Sequence, residues 1–557
     1  MPLSFADAIA AVSAPGQVFE VHEVEVDGVM NRRFANCPRS VREFFEMSRG
    51  VDATFIVYED EEWSFNDVVV ASDALGYALV NHFGIRPGDR VAIAMRNLPE
   101  WVIAFAAILS IGAVSVSLNA WWREDEIDFA LGDCSPALVI ADLERVERSV
   151  ESCARRGVPI LAARLGDYPT PPGVERWEDV VVAGRELPEV TIDPDMDATI
   201  LYTSGTTGSP KGAVSTHEAL CQTVVAFGST VAINEARRGP DEGGSGLDPC
   251  FILIVPLFHV TGCIPVMMTC FSWHFKLVMM HRWEPKRALQ LIERHRVTLF
   301  VGVPTQSWDL LECPDFADFD TSSLISVGGG GAPAPPTLVT RVDRSFARAR
   351  PQLGYGMTES NAYGPGNYGD DYVSHPTSTG RTPTIVMDVQ IRDQASRPLS
   401  RNENGEIWLK SPTLIRGYWG RTEDSAETIV DGWLRTGDLG RIDDEGFLYI
   451  EDRLKDMILR GGENVFCAEV EAAIYEHPAV HEAAVFAVAN ERLGEEVACA
   501  IELRPGATLT EAELRAYLAA RIAAYKIPTR VAFTNEPLPR NAAGKFVKRD
   551  MPARYFA

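Results

Sequence analysis

The sequence predicts an α/β protein: a large N-terminal region of two α/β sheet subdomains with a small β-barrel, followed by a small α+β C-terminal domain. Three observations carry this. Between about residues 37 and 350, short apolar runs at 90–95, 137–141, 198–202, 251–255 and 297–301 alternate with helical patterns. Fully apolar strands between helices belong to sheets covered on both faces. Between about 384 and 450 the strand-like segments MDVQIRD, GEIWLKS and GRIDDEGFLYI alternate apolar with polar residues between Gly, Asn and Asp, the pattern of a small antiparallel barrel. The final hundred residues read helix (467–480), two strands (482–488 and 496–506) and helix (510–526), a compact α+β unit.

These textures divide the chain into an N-terminal extension (1–36), a main domain (37–451, with its α/β part reaching about 383 and the barrel about 384–451) and a C-terminal domain (452–557). Within the extension, VFEVHEVEVDGVMNRRF alternates as a strand laid on the core or on a partner subunit does. The longest apolar stretch, 101–118, touches the lower length limit for a membrane span. It follows a Pro-Glu helix start at Pro99-Glu100 and breaks at Gly112, so a core helix and a buried strand are expected instead.

Composition narrows the function. The 557 residues carry 52 Lys plus Arg against 78 Asp plus Glu, a net charge of −26. That excess opposes nonspecific binding to nucleic acid or to anionic lipid. A polyanionic ligand must therefore be held locally, by a few cations and backbone N–H groups. The ten cysteines form no CxxC pair and the ten histidines no HExxH, so neither a disulfide framework, a zinc ribbon nor a metalloprotease is indicated. The opening MPLSFADAIAAVSAPGQ has no basic n-region and reads as no secretory signal, and a cytoplasmic enzyme is expected.

The sharpest local feature is Tyr202 to Gly212 (YTSGTTGSPKG), directly after an apolar strand. Small residues let backbone N–H groups approach an anion, hydroxyls add donors and Lys211 adds a point charge, so the segment suits a phosphate. It is not a Walker loop, because Lys211 stands between Pro210 and Gly212 rather than before Ser or Thr. Ordered motifs follow. They are PLFH ending at His259, the glycine cluster ending Gly330-Gly331-Ala332-Pro333, Gly354-Tyr355-Gly356-Met357-Thr358-Glu359, WLRTGD ending at Asp438, DRLKD from Asp452 with Gly461-Gly462-Glu463-Asn464, and Pro539 to Lys545 (PRNAAGK). Taken singly, Tyr-Gly-x-Thr-Glu is as readily a turn, four glycines a loop and Asp438 or Arg453 a surface ion pair.

In this order, over about residues 37–550, the motifs resemble the adenylate-forming superfamily, in its acyl-CoA synthetase and fatty-acid–CoA ligase branch. The resemblance implies ATP and CoA as co-substrates with Mg²⁺. Thr203, Ser204, Gly205, Thr206, Thr207, Gly208 and Lys211 would hold phosphate. Gly330 to Pro333, Tyr355, Gly356 and Met357 would border the adenine, and Thr358 would meet the α-phosphate. Glu359, with Thr206, would hold the metal, while Asp438 and Arg453 would hold the ribose. Lys545, with Lys211, Thr358 and Glu359, would catalyse the first step. His259, Val303 and Gly329 would line the acyl pocket, Gly461, Gly462 and Glu463 the CoA tunnel, and Lys455 would be the hinge of a mobile C-terminal lid. Small residues at Thr261, Gly262 and Cys263, where some long-chain members carry a tryptophan gate, leave that channel open.

The implied reaction makes acyl-AMP and pyrophosphate, then a thioester and AMP. No cationic residue occurs within 256–265 or 301–304, so an apolar monocarboxylic acid is expected, a medium- or long-chain fatty acid first and an aryl acid second. Neither a carrier domain after Lys545 nor an inserted arm after His259 is read, which favours CoA over a carrier protein as thiol. Loading of a separate carrier, a homodimer and a weak peripheral membrane contact stay open. A catalytically silent nucleotide sensor ranks last, because every charged motif residue is present.

Overall fold

The computed structural model describes residues 3–26, 28–203, 210–237, 246–332, 334–461, 463–540 and 546–556. Two eight-stranded sheets form the α/β part. The first runs in the order Gly417–Tyr418, Lys211–Thr216, Asp197–Thr203, Val114–Ser117, Arg90–Ala94, Leu138–Asp142, Ile160–Ala163 and Val174–Arg176. The second runs Gly366–Tyr368, Arg350–Gly354, Ser326–Gly330, Leu299–Gly302, Cys250–Leu253, Lys276–Met279, Thr54–Tyr58 and Glu61–Ser64. Interior neighbours pair in parallel, and antiparallel pairs occur only towards the edges. Each of the five apolar runs is a strand, three in the first sheet and two in the second.

The long apolar stretch is helix Pro99–Ser110 followed by strand Val114–Ser117. Proline at the first helical turn and Glu100 beside it start the helix. The helix is apolar all round because it is covered all round: Trp101 to Ser110 are buried without exception. It lies in an apolar core that takes side chains from both sheets, whereas a separate cluster covers the first sheet's other face. Among the described residues no helix is long and apolar enough to cross a membrane.

Where a barrel is expected, the ladders form a six-stranded antiparallel sheet: Ser378–Arg381, Phe447–Arg453, Trp433–Ile442, Gly405–Lys410 and Asp388–Arg392 in that order, with Ile429–Val430 added on Trp433–Ile442. Among the described residues no ladder joins its two edge strands. The C-terminal sheet takes Glu463–Val465, Ile458–Arg460, Gly494–Leu503 and Val480–Asn490, with Arg530–Thr534 pairing parallel to Gly494–Leu503.

The alternating N-terminal segment is a hairpin, Val21–Val26 against Val29–Phe34, rather than one strand. It lies on the chain's own core. The Phe34 N–H donates to Gln222 Oε1 (2.9 Å), the Gln222 amide returns a bond to the Phe34 carbonyl (3.3 Å), and Arg32 pairs with Asp388 at 2.7 Å.

One buried group makes this assembly acid-sensitive. His217, fully buried at the start of helix His217–Arg237, accepts the Val41 N–H on Nδ1 (3.3 Å), and burial holds its pKa down to about 4. The unfolded chain takes up a proton near pH 6.5 and the folded chain only near 4. Stability is thus intact above pH 6.5 and falls as pH drops through that window, by about 2 kcal/mol between pH 7.5 and 5. His217→Asn keeps an acceptor for Val41 and has no proton to gain. Urea titrations at the two pH values should show the loss shrink by that amount, and an unchanged difference would reject the assignment.

Candidate active site

The phosphate segment is a hairpin seen at its base: Thr203 and Lys211 are cross-strand partners, and the Thr203 hydroxyl donates to the Lys211 carbonyl (3.3 Å). Ser204, Gly205, Thr206, Thr207 and Gly208 lie outside the described residues. Lys211 Nζ pairs with Asp424 at 2.8 Å and stands 5.2 Å from the centre of the Tyr418 ring. The Tyr418 hydroxyl donates to Glu359 Oε1 at 2.7 Å. Burial, with Glu359 beside it, pushes the Tyr418 phenol far up, so it keeps its proton and remains a donor. One tyrosine thus joins Lys211 to Glu359.

Thr358 and Glu359 sit in the short turn Thr358–Ser360, which ends on Asn361 in the left-handed conformation (φ 53°) that Asn tolerates better than most residues. Asn361 is fully buried. Its Oδ1 accepts the Ser215 hydroxyl and its Nδ2 donates to the Thr413 carbonyl, both at 2.9 Å, tying the turn to the strand that carries Lys211.

The glycine run is strand, not loop. Gly328 to Gly330 lie in Ser326–Gly330, and neighbouring backbones press against them: a Cβ on Gly329 would stand 1.8 Å from the Gly302 carbonyl oxygen. A Cβ on Gly331 would come within 3.8 Å of Val303, which brings the cluster to the expected acyl wall. Ala332 is half-buried, and Pro333 lies outside the described residues. Gly356 admits no side chain either, with the Ala362 carbonyl 2.3 Å from its Cβ position, while Met357 fixes the turn by donating its N–H to Ser360 Oγ (3.2 Å).

Tyr355 is buried and donates its hydroxyl to Asp438 Oδ2 at 2.7 Å; burial and that carboxylate hold the phenol well above its ordinary range. Asp438 and Arg453 are cross-strand partners, with the guanidinium Nε 3.3 Å from Asp438 Oδ1. The structure therefore unites Tyr355, Asp438 and Arg453.

His259 follows strand Cys250–Leu253 on a loop held by buried Asn97. Asn97 Oδ1 accepts the Leu257 N–H (2.9 Å), and its Nδ2 donates to the carbonyls of Val255 (3.1 Å) and Met280 (3.3 Å). Across the pocket wall, Gln306 accepts the Val303 N–H (2.9 Å) and donates to the Ile254 carbonyl (3.3 Å), linking the two expected acyl walls.

In the C-terminal domain, Lys455 lies in the turn just after Arg453, whose carbonyl accepts the N–H groups of Asp456 and Met457 (both 3.0 Å). Gly461 has φ +60° and, like Glu463, is exposed; Gly462 lies outside the described residues. Lys545 lies outside them too, but its flanks are held: Arg540 and Phe546 form a β-bridge and the Val547 N–H donates to the Pro539 carbonyl (3.0 Å). Lys548, three residues on, is driven down by burial, but Glu471, 2.8 Å away, together with Cys467 and Asp452 outweighs that, so it stays charged. Near it, Asp452 accepts the N–H groups of Arg453 and Cys467 and is pushed up to about 6 by burial.

This face meets the main domain. Burial pushes up the acid of Asp309, on helix Pro304–Glu312, against the bond from the Trp283 indole and the positive fields of His481 and Arg540. Glu312 pairs with Arg504 at 3.2 Å. The root of the segment that carries Lys545 thus faces the helix following Val303, while Gly461 and Glu463 face solvent.

The donor set can be tested against Mg²⁺. Among the described residues no three His, Cys, Asp or Glu side chains converge as a metal cage. A single carboxylate, Glu359, half-buried and oriented by Tyr418, fits an ion that takes its other ligands from phosphate and water.

Sequence reasoning missed Tyr418, Asp424, Asn97, Asn361 and Gln306. Their partners lie tens to hundreds of positions away, except where Gln306 caps its own helix three residues from Val303, a spacing that was readable.

Comparison with known proteins agrees with this arrangement. Residues 45–419 match the AMP-binding enzyme family and residues 469–545 the AMP-binding enzyme C-terminal domain. A feruloyl-CoA synthase of Amycolatopsis sp is 33% identical over 479 residues, 85% of this chain and 90% of that protein. A long-chain-fatty-acid–CoA ligase of Bacillus subtilis (strain 168) is 32% identical over 536 residues, 90% of this chain and 92% of that one. The ATP-bound crystal structure of MatB from Rhodopseudomonas palustris superposes with a TM-score of 0.81 at 28% identity, covering 93% of this chain and 99% of that one. The chain belongs to the AMP-binding enzyme family of the adenylate-forming superfamily, and is an AMP-forming acid–thiol ligase of the acyl-CoA synthetase type.

Proposed function

We propose that this ligase converts an apolar monocarboxylic acid, a medium- or long-chain fatty acid, into its CoA thioester through an acyl-AMP. The observation that carries the substrate class is the absence of any cationic side chain in 256–265 and 301–304, with Val303 beside Gly331 in the wall so formed. An aryl acid is the second reading, favoured by the similarity to a feruloyl-CoA synthase.

In the first half, the substrate carboxylate attacks the α-phosphorus of ATP and pyrophosphate leaves. Lys211 and the phosphate segment hold the leaving group, Thr358 donates to the α-phosphate, and Lys545 stands between the two anions, where its charge counts most as the transition state forms. Glu359, kept in place by Tyr418, would hold Mg²⁺, which when bound neutralises phosphate charge. Asp438 and Arg453 fix the ribose. In the second half, rotation at Lys455 withdraws Lys545 and brings Gly461, Gly462 and Glu463 to the site for the thiol.

Lys455→Pro is expected to leave acid-dependent pyrophosphate release within about threefold and to slow thioester formation at least tenfold, since proline removes the freedom of φ at that residue. Equal loss in both assays would reject the hinge. The reading as a whole is tested by a panel of carboxylates with and without CoA, following AMP and acyl-CoA by mass. Fatty acids should lead. A best substrate bearing a second carboxylate would overturn the substrate class, and AMP release without acyl-CoA would overturn CoA as the thiol.

A further inference from the structure

The chain on either side of Lys545 is fastened at two levels. The first closes the two flanks on each other: Arg540 and Phe546 form a β-bridge, the Arg540 guanidinium lies over the Phe546 ring at 4.1 Å, and the Val547 N–H donates to the Pro539 carbonyl (3.0 Å). These contacts join the flanks but leave open where the joined flanks point. The second level ties each flank to the lid. On the entering side Arg540 pairs with Glu482 of strand Val480–Asn490. On the leaving side Lys548 Nζ stands 2.8 Å from Glu471 Oε1, on helix Cys467–Tyr475.

The Lys548 pair is shielded on both sides, with side chains 17% and 16% exposed, whereas in the other lysine ion pairs among the described residues the carboxylate is at least 37% exposed. Taking both charges out of water is costly, and apolar residues of similar volume often hold a fold as well or better. Stability therefore gives little reason for the pair. Direction gives one, because an ammonium fixed on one carboxylate oxygen sets the place of the backbone that carries it.

Glu471 is itself held in place. Among the described residues no strand pairs with the outer edge of Val480–Asn490, and Glu471 Oε1 accepts the Val485 N–H of that strand at 2.7 Å. At the start of the same helix, where Phe466 offers no side-chain cap, the Cys467 N–H donates to Asp452, three residues before the proposed hinge Lys455. The leaving flank, the helix and the strand that enters the hinge thus meet at one place.

We propose that Lys548 is a positioning residue for the adenylate-forming half: through Glu471 it sets the reach and direction of the segment that carries Lys545. This rests on the reading of Lys545 as the cation of that half. A misplacement of about 1 Å is enough to cost about a hundredfold in rate, so such a fastening is read in turnover rather than in substrate affinity.

Lys548→Met keeps the bulk of the side chain and removes its charge. The kcat for acid-dependent pyrophosphate release should fall about 10–100-fold. The KM values for ATP and acid, and thiol attack on supplied acyl-AMP, should stay within about threefold of the unsubstituted enzyme, and Lys548→Arg should recover most of the loss. Lys548→Met combined with Glu471→Gln separates position from stability, since no shielded carboxylate is then left unpaired and the amide oxygen still accepts from Val485. The urea midpoint of this double variant should return close to that of the unsubstituted enzyme, while pyrophosphate release stays at least about tenfold down. Recovery of pyrophosphate release together with stability, equal loss in both halves, or no loss in Lys548→Met would overturn the positioning role. Normal pyrophosphate release by Lys545→Met would instead overturn the reading of Lys545 on which the proposal stands.

Discussion

Replacing Lys545 with methionine is expected to slow acid-dependent pyrophosphate release about a thousandfold. Thiol attack on supplied acyl-AMP should stay within a few-fold. The ammonium is the one cation assigned to the gap between the attacking carboxylate and the α-phosphate. At about 4 Å and an effective dielectric near 20 such a contact is worth up to ~4 kcal/mol, about three decades in rate. Lys211→Met should cost less, because Lys211 is shared with Asp424 and the Tyr418 ring and is the cation proposed for the leaving-group end. Pyrophosphate exchange reads the first half and single-turnover thioester formation the second. Equal loss in both, or less than a tenfold loss in the first, would remove Lys545 from the role given to it.

Asp438→Ala should raise KM for ATP about a hundredfold and lower stability by about 1–3 kcal/mol. The first effect follows from losing the charged acceptor proposed for two ribose hydroxyls, each such bond being worth about 1.5–3 kcal/mol, and the second from leaving the buried Tyr355 hydroxyl without its acceptor. Arg453 softens the damage, since it is 40% exposed and water can replace its partner. Asp438→Asn should recover most of the stability, because the amide oxygen still accepts from Tyr355, but little of the ATP affinity. If Asp438→Ala unfolds more easily yet binds ATP normally, the carboxylate is a packing residue and the ribose lies elsewhere.

Fold class was readable because short, fully apolar strands set between helices occur mainly in sheets that helices cover on both faces. Helix Pro99–Ser110 was readable from its proline start and glycine stop. The charged residues proposed for the site each sit inside a short ordered motif, which is what made them candidates. What stayed hidden is the means of holding them in place. Tyr418 reaches Glu359 across 59 positions and Asn361 reaches Ser215 across 146, and neither a Tyr in a two-residue strand nor an Asn at a turn gives a periodic signal. The glycine run misleads on composition, which reads as loop, whereas close packing of neighbouring backbones requires glycine in that strand. The N-terminal hairpin did leave a signal, Asp-Gly at 27–28 between alternating runs, a turn signature that divides one strand into two.

The separation of the apolar clusters bears on the energetics of turning the lid. Both clusters of the C-terminal domain draw only on residues from 458 onward, and neither shares a side chain with the clusters of the main domain. A rotation at Lys455 would therefore strip no common oily seam. What it would chiefly break is ionic, in contacts such as Glu312 with Arg504 and the field between Asp309 and Arg540. Exposed ion pairs of this kind are individually worth about 0–1 kcal/mol and weaken with salt. The balance between the two proposed postures would then be set by a handful of charges.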